Sequence, residues 1–304
     1  MQVNSGVLSR YLDYEFLRQI SGRPLEPRGL VSGNLAGSHK SPASGFAVEF
    51  SGHREYVPGD DPKHIDWRVF FTRDKYFIKQ YEMETNFVCH LMLDVSKSMR
   101  YGDEASQKML FGSRLAVSLA HSIVRQGDKV SFTTFDTKIR GHIPASNALP
   151  QIIRMSQHLD EMDADDTTDL NACLSEFSQR MARREIVMIF SDFFGDLESL
   201  ENAIQRIRFN KHDVVLVQLI HDHELHFNLD GMTRFVGLEV DSERITQPAD
   251  IRAAYLKAVG RFNEQLASLA SRNNCDHVLA CTKENPGSIF WEYLNLRSLQ
   301  NRRI

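Results

Sequence analysis

The chain has 304 residues, 42 % of them hydrophobic and 25 % charged, and a formal net charge of −4. That length holds one large or two modest domains with a normal buried core, and the slightly acidic balance excludes a polycation built to grip nucleic acid. No apolar run approaches the roughly 18–20 residues that a membrane helix needs. Met1–Leu17 is interrupted by Arg10, Asp13 and Glu15 and has no secretory apolar core, so the expectation is a cytoplasmic protein.

In chain order, Gly6–Ile20 carries apolar residues at helical spacing. Gly29–Gly45, rich in Gly, Ser, Pro and Asn, reads as a loop or linker. Tyr56–Asp66 holds Pro58, Gly59 and Pro62 and contains a turn. Lys75–Met83 suggests a strand. A regular alternation follows. Phe87–Leu93 is a buried strand, Gln107–Arg125 a helix, Lys129–Phe135 a strand and Lys138–Ile143 a short edge strand. Ala148–Leu159 and Thr168–Met181 are helices, Glu185–Phe190 a strand, Leu197–Arg208 a helix and Asp213–Ile220 a strand. Beyond Ile220 come a strand at Arg234–Val240, a long helix at Ala249–Ser271, a strand at His277–Thr282 and a helix at Ser288–Arg297. The arginines from Arg297 to Arg303 read as a solvated tail. Cys89 and Cys173 sit in apolar segments and read as buried, reduced thiols.

Nearly all-apolar strands alternating with helices predict a parallel sheet covered on both faces. Such folds place ligands at the C-terminal ends of the strands. Strand Phe87–Leu93 runs directly into Asp94-Val95-Ser96-Lys97-Ser98. One carboxylate and two hydroxyls at i, i+2 and i+4 of a strand-to-helix loop can converge on one point. They suit Mg²⁺, which takes a near-octahedral shell of hard oxygens and keeps several waters. Asp166-Thr167-Thr168-Asp169 places the Thr168 hydroxyl at a helix start, and Ser191-Asp192 puts a second carboxylate at another strand end.

These three pieces, in this order, resemble the metal-ion-dependent adhesion site of von Willebrand factor A domains. The resemblance spans about Phe87 to Ile220 and implies that Asp94, Ser96, Ser98, Thr168 and Asp192 bind Mg²⁺, or Mn²⁺ or Ca²⁺ in its place. Asp166 and Thr167 depart from the two small residues that often precede the threonine. Asp163, Asp165, Asp166 and Asp169 crowd the same loop, either to tighten cation binding or to supply an internal ligand in place of a partner's. A second resemblance rests on Gly45–Phe50, on Arg54-Glu55-Tyr56-Val57-Pro58-Gly59-Asp60-Asp61-Pro62, on Ile65-Asp66-Trp67-Arg68 and on the tail Trp291–Arg297. These look like the signature of a bacterial domain-of-unknown-function family, number fifty-eight. Its genes commonly lie beside those for MoxR-type AAA+ ATPases. That implies a protein partner, the ATPase or its client, and a chaperone-like or assembly role.

Arg54, Tyr56, Asp60, Asp61, Asp66, Trp67 and Arg68 form either a partner surface or a structural clamp with Trp67 buried. His221, His223 and His226 tempt a zinc reading, but if the preceding strand continued, His226 would point away from the other two. Cys275 and His277 lack a second pair. The expected fold is a doubly wound, mainly parallel six-stranded von Willebrand A-like sheet. Residues 1–86 carry an N-terminal helix, a loop and a β elaboration, 87–221 the core, and 222–304 the completion of both. Residues near 24–86 and 222–245 are expected to build the elaboration together. The expected function is metal-dependent protein binding without catalysis. The alternatives are a metal-dependent phosphohydrolase, which would need a second carboxylate where Ser96 stands, and a scaffold whose site binds no metal.

Overall fold

The computed structural model describes residues 5–28, 36–41, 49–73, 75–103, 106–162, 169–182, 184–229, 231–237 and 243–301. The chain begins with helices α1 (Ser5–Tyr11) and α2 (Tyr14–Gln19). Sequence periodicity suggests a single helix there. The break comes at Asp13, whose side chain accepts from the Phe16 amide at 3.0 Å and whose own N–H donates to Ser118 Oγ at 2.9 Å. An N-cap takes up the orphan amides of a second helix and so favours a restart over continuation.

Residues 27–87 form a compact unit. It contains β1 (Ala36–Ser41), β2 (Glu49–Glu55), α3 (Trp67–Arg73) and β3 (Phe77–Thr85). Its sheet is antiparallel, in the order β1-β3-β2. β1 lies inside the stretch that reads as a loop, because an edge strand needs few apolar side chains. The rest of Gly29–Gly45 falls outside the described residues.

Residues 1–26 and 88–304 make the second unit. Its six-stranded sheet is formed by β4 (Val88–Asp94), β5 (Lys129–Phe135), β6 (Ile139–Ser146), β7 (Ile186–Ser191), β8 (Asp213–Ile220) and, after two further strands, β11 (Asp276–Cys281). The order is β11-β8-β7-β4-β5-β6, parallel throughout except for the hairpin strand β6. β7 and β8 are buried along their whole length, which explains why their sequences are mostly apolar rather than alternating. The connecting helices are α4 (Lys108–Arg125), α5 (Pro150–Glu161), α6 (Leu170–Ser178) and α7 (Leu197–Phe209). After β8 come α8 (Asp222–His226), the hairpin β9 (Thr233–Val236) and β10 (Glu243–Thr246), α9 (Pro248–Arg272) and, beyond β11, α10 (Pro286–Asn301).

Helices cover both faces. On one, Met92, Val187, Ile189, Val214 and Leu216 pack with Phe177 of α6, Ile204 and Ile207 of α7, and Leu266 and Leu269 of α9. On the other, α4 lies so close that a Cβ at Gly112 would sit 2.5 Å from Leu219 Cδ1 and 3.2 Å from Leu93 Cδ1. The glycine is what permits that approach. The strand expected at Arg234–Val240 is found as β9, which pairs with β10 outside the main sheet. One expectation is corrected here: the elaboration is not shared, since residues 222–246 belong to the unit that holds this sheet.

Arg297 is a second correction. It is 2 % exposed rather than solvated. Its guanidinium pairs with Asp213 at the start of β8 and with Asp276 at the start of β11 (2.7 Å), and it also meets Tyr293 Oη (2.8 Å) and the Glu26 carbonyl (2.6 Å). Helical spacing puts Tyr293 and Arg297 on one face, so α10 seats its cation across two strand ends. Removing one member of a buried pair leaves the other charge uncompensated, at about 3–5 kcal/mol. Arg297→Met should therefore lower the urea midpoint by that equivalent. Arg297→Lys should recover only part of it, because a single ammonium nitrogen lacks the planar spread of donors that reaches two carboxylates, Tyr293 and the Glu26 carbonyl at once. A variant midpoint equal to that of the parent would refute the clamp.

Candidate metal centre at the strand ends

β4 delivers Asp94 to the sheet edge, and the loop after it is pinned at two apolar points. Val95 and Met99 are both fully buried, and the Val95 N–H donates to the Phe135 carbonyl of β5 at 2.9 Å. The polar positions between them are thereby fixed. Asp94 Oδ1 accepts from the Ser96 amide at 2.9 Å and Oδ2 from Ser191 Oγ at 2.6 Å. The hydroxyls of Ser96 and Ser98, the latter on a short 3₁₀ turn, are 3.1 Å apart.

The second carboxylate comes from β7, the neighbour of β4. Ser191, its last residue, bridges the two strand ends. Its Oγ donates to Asp94 and accepts from the Phe193 amide at 3.0 Å. Asp192 Oδ1 accepts from the Phe194 amide at 3.1 Å. Phe193 is held at φ 57° while 95 % buried. A bulky side chain in the left-handed region costs on the order of 1–2 kcal/mol, so the packing around Phe193 imposes the turn that aims Asp192.

Asp94, Asp169, Ser191, Asp192, Phe194 and Asp196 line a cleft of about 300 Å³. The Asp169 amide donates to the Asp136 carbonyl at 3.0 Å, and its carboxylate caps α6 through the Ala172 amide at 3.0 Å. Thr168 and Asp163 to Asp166 lie outside the described residues.

A residue that motif reading passes over completes the centre. Lys108, at the first turn of α4, is fully buried. Its ammonium donates to Asp192 Oδ2 and to Glu224 Oε1 of α8, each at 2.8 Å. The rings of Phe194 and Tyr101 flank it at 5.6 and 6.0 Å. Lys108 and Gly112 are one turn apart on α4, so the close seating of the helix at Gly112 brings the amine down to Asp192. A lysine at a helix start gives no sequence signal for this, because its partners lie 84 and 116 positions away.

Burial, and then the nearby charge of Asp192, push the Asp94 carboxyl up to about 6. Burial also raises Glu224. Burial works against the Lys108 ammonium, but Asp192 and Glu224 outweigh it and hold its pKa above the ordinary value.

The donor chemistry fits a hard divalent cation. Adjacent oxygens of an octahedral Mg²⁺ shell lie about 3 Å apart, close to the Ser96–Ser98 hydroxyl spacing of 3.1 Å. Asp94 adds a buried carboxylate beside them.

The other candidates fare differently. Among the described residues, those of the strand-end centre included, no three His, Cys, Asp or Glu side chains group to hold a metal. His221 is the N-cap of α8, with Nδ1 accepting from the His223 amide at 3.1 Å, while His226 meets Asp222 at 2.8 Å. The histidines cap and brace a short helix rather than extend β8. His277 Nε2 contacts Gln218 at 3.0 Å. In the 27–87 unit, the acidic residues near Tyr56 hold local turns. Asp60 pairs with Arg54 (2.8 Å) and caps Val57 (2.9 Å), and Asp61 caps Lys63 (3.0 Å). Asp66 meets His53 (2.9 Å) and the Arg68 amide (3.0 Å). Trp67, however, is 52 % exposed, where the clamp reading has it buried. It sits edge-on to Phe70 and Tyr76, and Tyr76 also meets Tyr56 edge-on.

Comparison with known proteins gives the family. The family described as "Protein of unknown function DUF58" matches residues 52–265. The chain belongs to it. Uncharacterized proteins of Mycobacterium tuberculosis (Rv1480) and Mycobacterium bovis (Mb1516) are each 20 % identical over 198 residues, 64 % of this chain and 62 % of theirs. The chain thus spans under two thirds of these relatives' length. Similar solved structures include the conserved hypothetical protein BatB of Bacteroides thetaiotaomicron (11 % identity, TM-score 0.47, 72 % of this chain and all of that one). An aerotolerance-related membrane protein of Bacteroides fragilis scores 0.48 at 13 % identity, with the same coverage. The SpRpn10 VWA domain scores 0.38 at 10 %, covering 67 % of this chain and 93 % of that one. At such scores the likeness carries no argument, and the doubly wound, mainly parallel six-stranded sheet of this DUF58 chain rests on its own strand order. Among the described residues no helix is long and apolar enough to cross a membrane.

Because folding raises the pKa of Asp94 above its ordinary 3.8, its protonation stabilises the fold. That contribution is fully present below about pH 4 and is lost as pH rises through about 6. At neutral pH the ionised carboxylate then costs up to about 3 kcal/mol. In chelator, Asp94→Asn should unfold at higher urea than the parent at pH 7.5, and the two midpoints should converge toward pH 4. A variant no more stable than the parent at pH 7.5 contradicts this.

Proposed function

We propose that this DUF58 protein is a metal-dependent protein-binding module. Asp94, Ser96, Ser98 and Asp192 would hold Mg²⁺, or Mn²⁺ or Ca²⁺ in its place. The observation that carries this reading is the pair of serine hydroxyls 3.1 Å apart in the loop that follows buried Asp94, which with Asp192 lines the strand-end cleft. A bound Mg²⁺ would supply a positive centre for an acidic side chain from a partner. Neutral serine ligands leave that centre electron-poor, which favours an incoming Glu or Asp. Ser191 and the Phe194 amide keep both protein carboxylates oriented, so binding needs little rearrangement of the strand ends.

Binding is favoured over catalysis because Ser96, where a phosphohydrolase needs its second carboxylate, is engaged with Ser98. A MoxR-type AAA+ ATPase or its client is the partner that family resemblance suggests, and the exposed Trp67 edge of the 27–87 unit offers a second contact for it. Isothermal titration of metal-stripped protein with Mg²⁺ should give saturable binding. Asp94→Ala, shown folded by circular dichroism, should lose it, and Ser98→Ala should weaken it about tenfold or more, in line with the loss of an oriented ligand. Absence of binding by the parent would remove the metal from this reading. Retention of a purified MoxR-type ATPase equally well in Mg²⁺ and in chelator would remove the metal from the interaction.

A further inference from the structure

The most unusual side chain beside the proposed centre is Lys108. A lysine is almost never fully buried unless paired, and this one has no exposed surface at all. Its amine is divided between two carboxylates, Asp192 and Glu224, at equal distances of 2.8 Å. Aromatic rings at 5.6 and 6.0 Å complete the cradle and favour a cation in it. Gly112, one turn on, is the residue whose missing Cβ lets α4 come down onto Leu219 and Leu93. The lysine is therefore built in, not draped over the site.

We infer that Lys108 is an internal counter-cation of the centre: its ammonium holds Asp192 until a divalent ion takes that carboxylate, and it then rests on Glu224 alone. This rests on the metal-binding reading above. The argument is one of shared charge. A divalent ion on Asp192 repels an ammonium hydrogen-bonded to the same carboxylate, so the two occupancies oppose each other. Glu224 offers the displaced amine a partner that it already has. Glu224 also accepts from the His221 amide at 2.9 Å through its other oxygen and so closes the capping box of α8. Metal entry thus pulls on α8, which links the strand-end cleft to the segment after β8. The linkage is reciprocal: whatever draws Glu224 away from Lys108 strengthens the hold of the amine on Asp192 and weakens metal binding.

The test compares Mg²⁺ affinity by calorimetry in the full chain, in Lys108→Met and in Lys108→Met/Glu224→Gln, the last to avoid leaving Glu224 buried without its cation. The expected result is at least tenfold tighter Mg²⁺ binding in one or both folded variants, abolished by adding Asp94→Ala. A second measurement needs no change at Lys108. Amine acylation of the parent, read by peptide mass spectrometry, should mark Lys108 faster in saturating Mg²⁺ than in chelator, and Asp94→Ala should show no such difference. If the parent binds Mg²⁺ but the variants bind no tighter and Lys108 labelling does not change, the counter-cation is refuted while the metal centre stands. If neither the parent nor a folded variant binds Mg²⁺, the metal centre itself falls and the inference with it.

Discussion

Two acidic side chains held side by side in nearly dry surroundings set the problem that the rest of this centre answers. The chain leaves β4 toward β5 on one side and returns to β7 on the other. The ends of β4 and β7 therefore meet at the point where the winding direction reverses, the place where open α/β sheets leave a crevice for ligands. Asp94 stands at the end of one strand and Asp192 just past the end of the other, 1 % and 3 % exposed. Parallel pairing fixes them there, because Leu93 pairs with Phe190. Neither carboxylate can move off without unzipping a fully buried strand. Their charge must be met in place, by hydrogen bonds from Ser191, Ser96 and Phe194 and by a cation.

How much of this could be read from the sequence follows from what is local. The strand-end motif was legible because Asp94, Ser96 and Ser98 stand at i, i+2 and i+4 of one loop and the strands β4, β7 and β8 are largely apolar. The doubly wound sheet was legible for the same reason. Lys108 was not, since nothing local distinguishes it from any other lysine in the first turn of a helix. Its role comes from Gly112 and from residues 84 and 116 positions away. Arg297 was misread as tail because composition near a terminus says nothing of the two aspartates waiting at β8 and β11. His221 to His226 tempt a zinc reading that the alternation of a continuing strand disfavours, and residue type alone does not reveal that the His221 ring caps a helix. Trp67 looked like core, yet stands half exposed on the edge of its own aromatic group.

Among the described residues of the sheet-bearing unit, the buried Arg297 and Lys108 differ in what they do. Arg297 serves the N-terminal ends of the strands and Lys108 the C-terminal ends. The guanidinium of Arg297 is a rigid fork, and its donors reach Asp213, Asp276, Tyr293 and a backbone carbonyl. That geometry locks. The ammonium of Lys108 is a compact charge on a flexible stem, shared by carboxylates from two different elements. It can shift from one to the other by bond rotation. The end of the sheet that must hold still carries an arginine, and the end that opens on the cleft carries a lysine.

Charge balance shows what the cleft end still lacks. Asp94, Asp192 and Glu224 together could carry three negative charges, and Lys108 supplies one positive charge. Every resolved shift in the cluster points the same way. Asp94 and Glu224 are pushed toward the neutral acid, and Lys108 is held in its charged form. Each shift favours the more positive state of its group. A proton on Asp94 meets part of the deficit, and with a pKa of about 6 that proton is largely gone at neutral pH. In the proposed function a divalent cation would meet the remainder in one step, beside the Ser96 and Ser98 hydroxyls at their 3.1 Å spacing. The same imbalance that makes the strand ends costly to fold makes them selective for positive charge, and the buried lysine sets how much of that charge must come from outside.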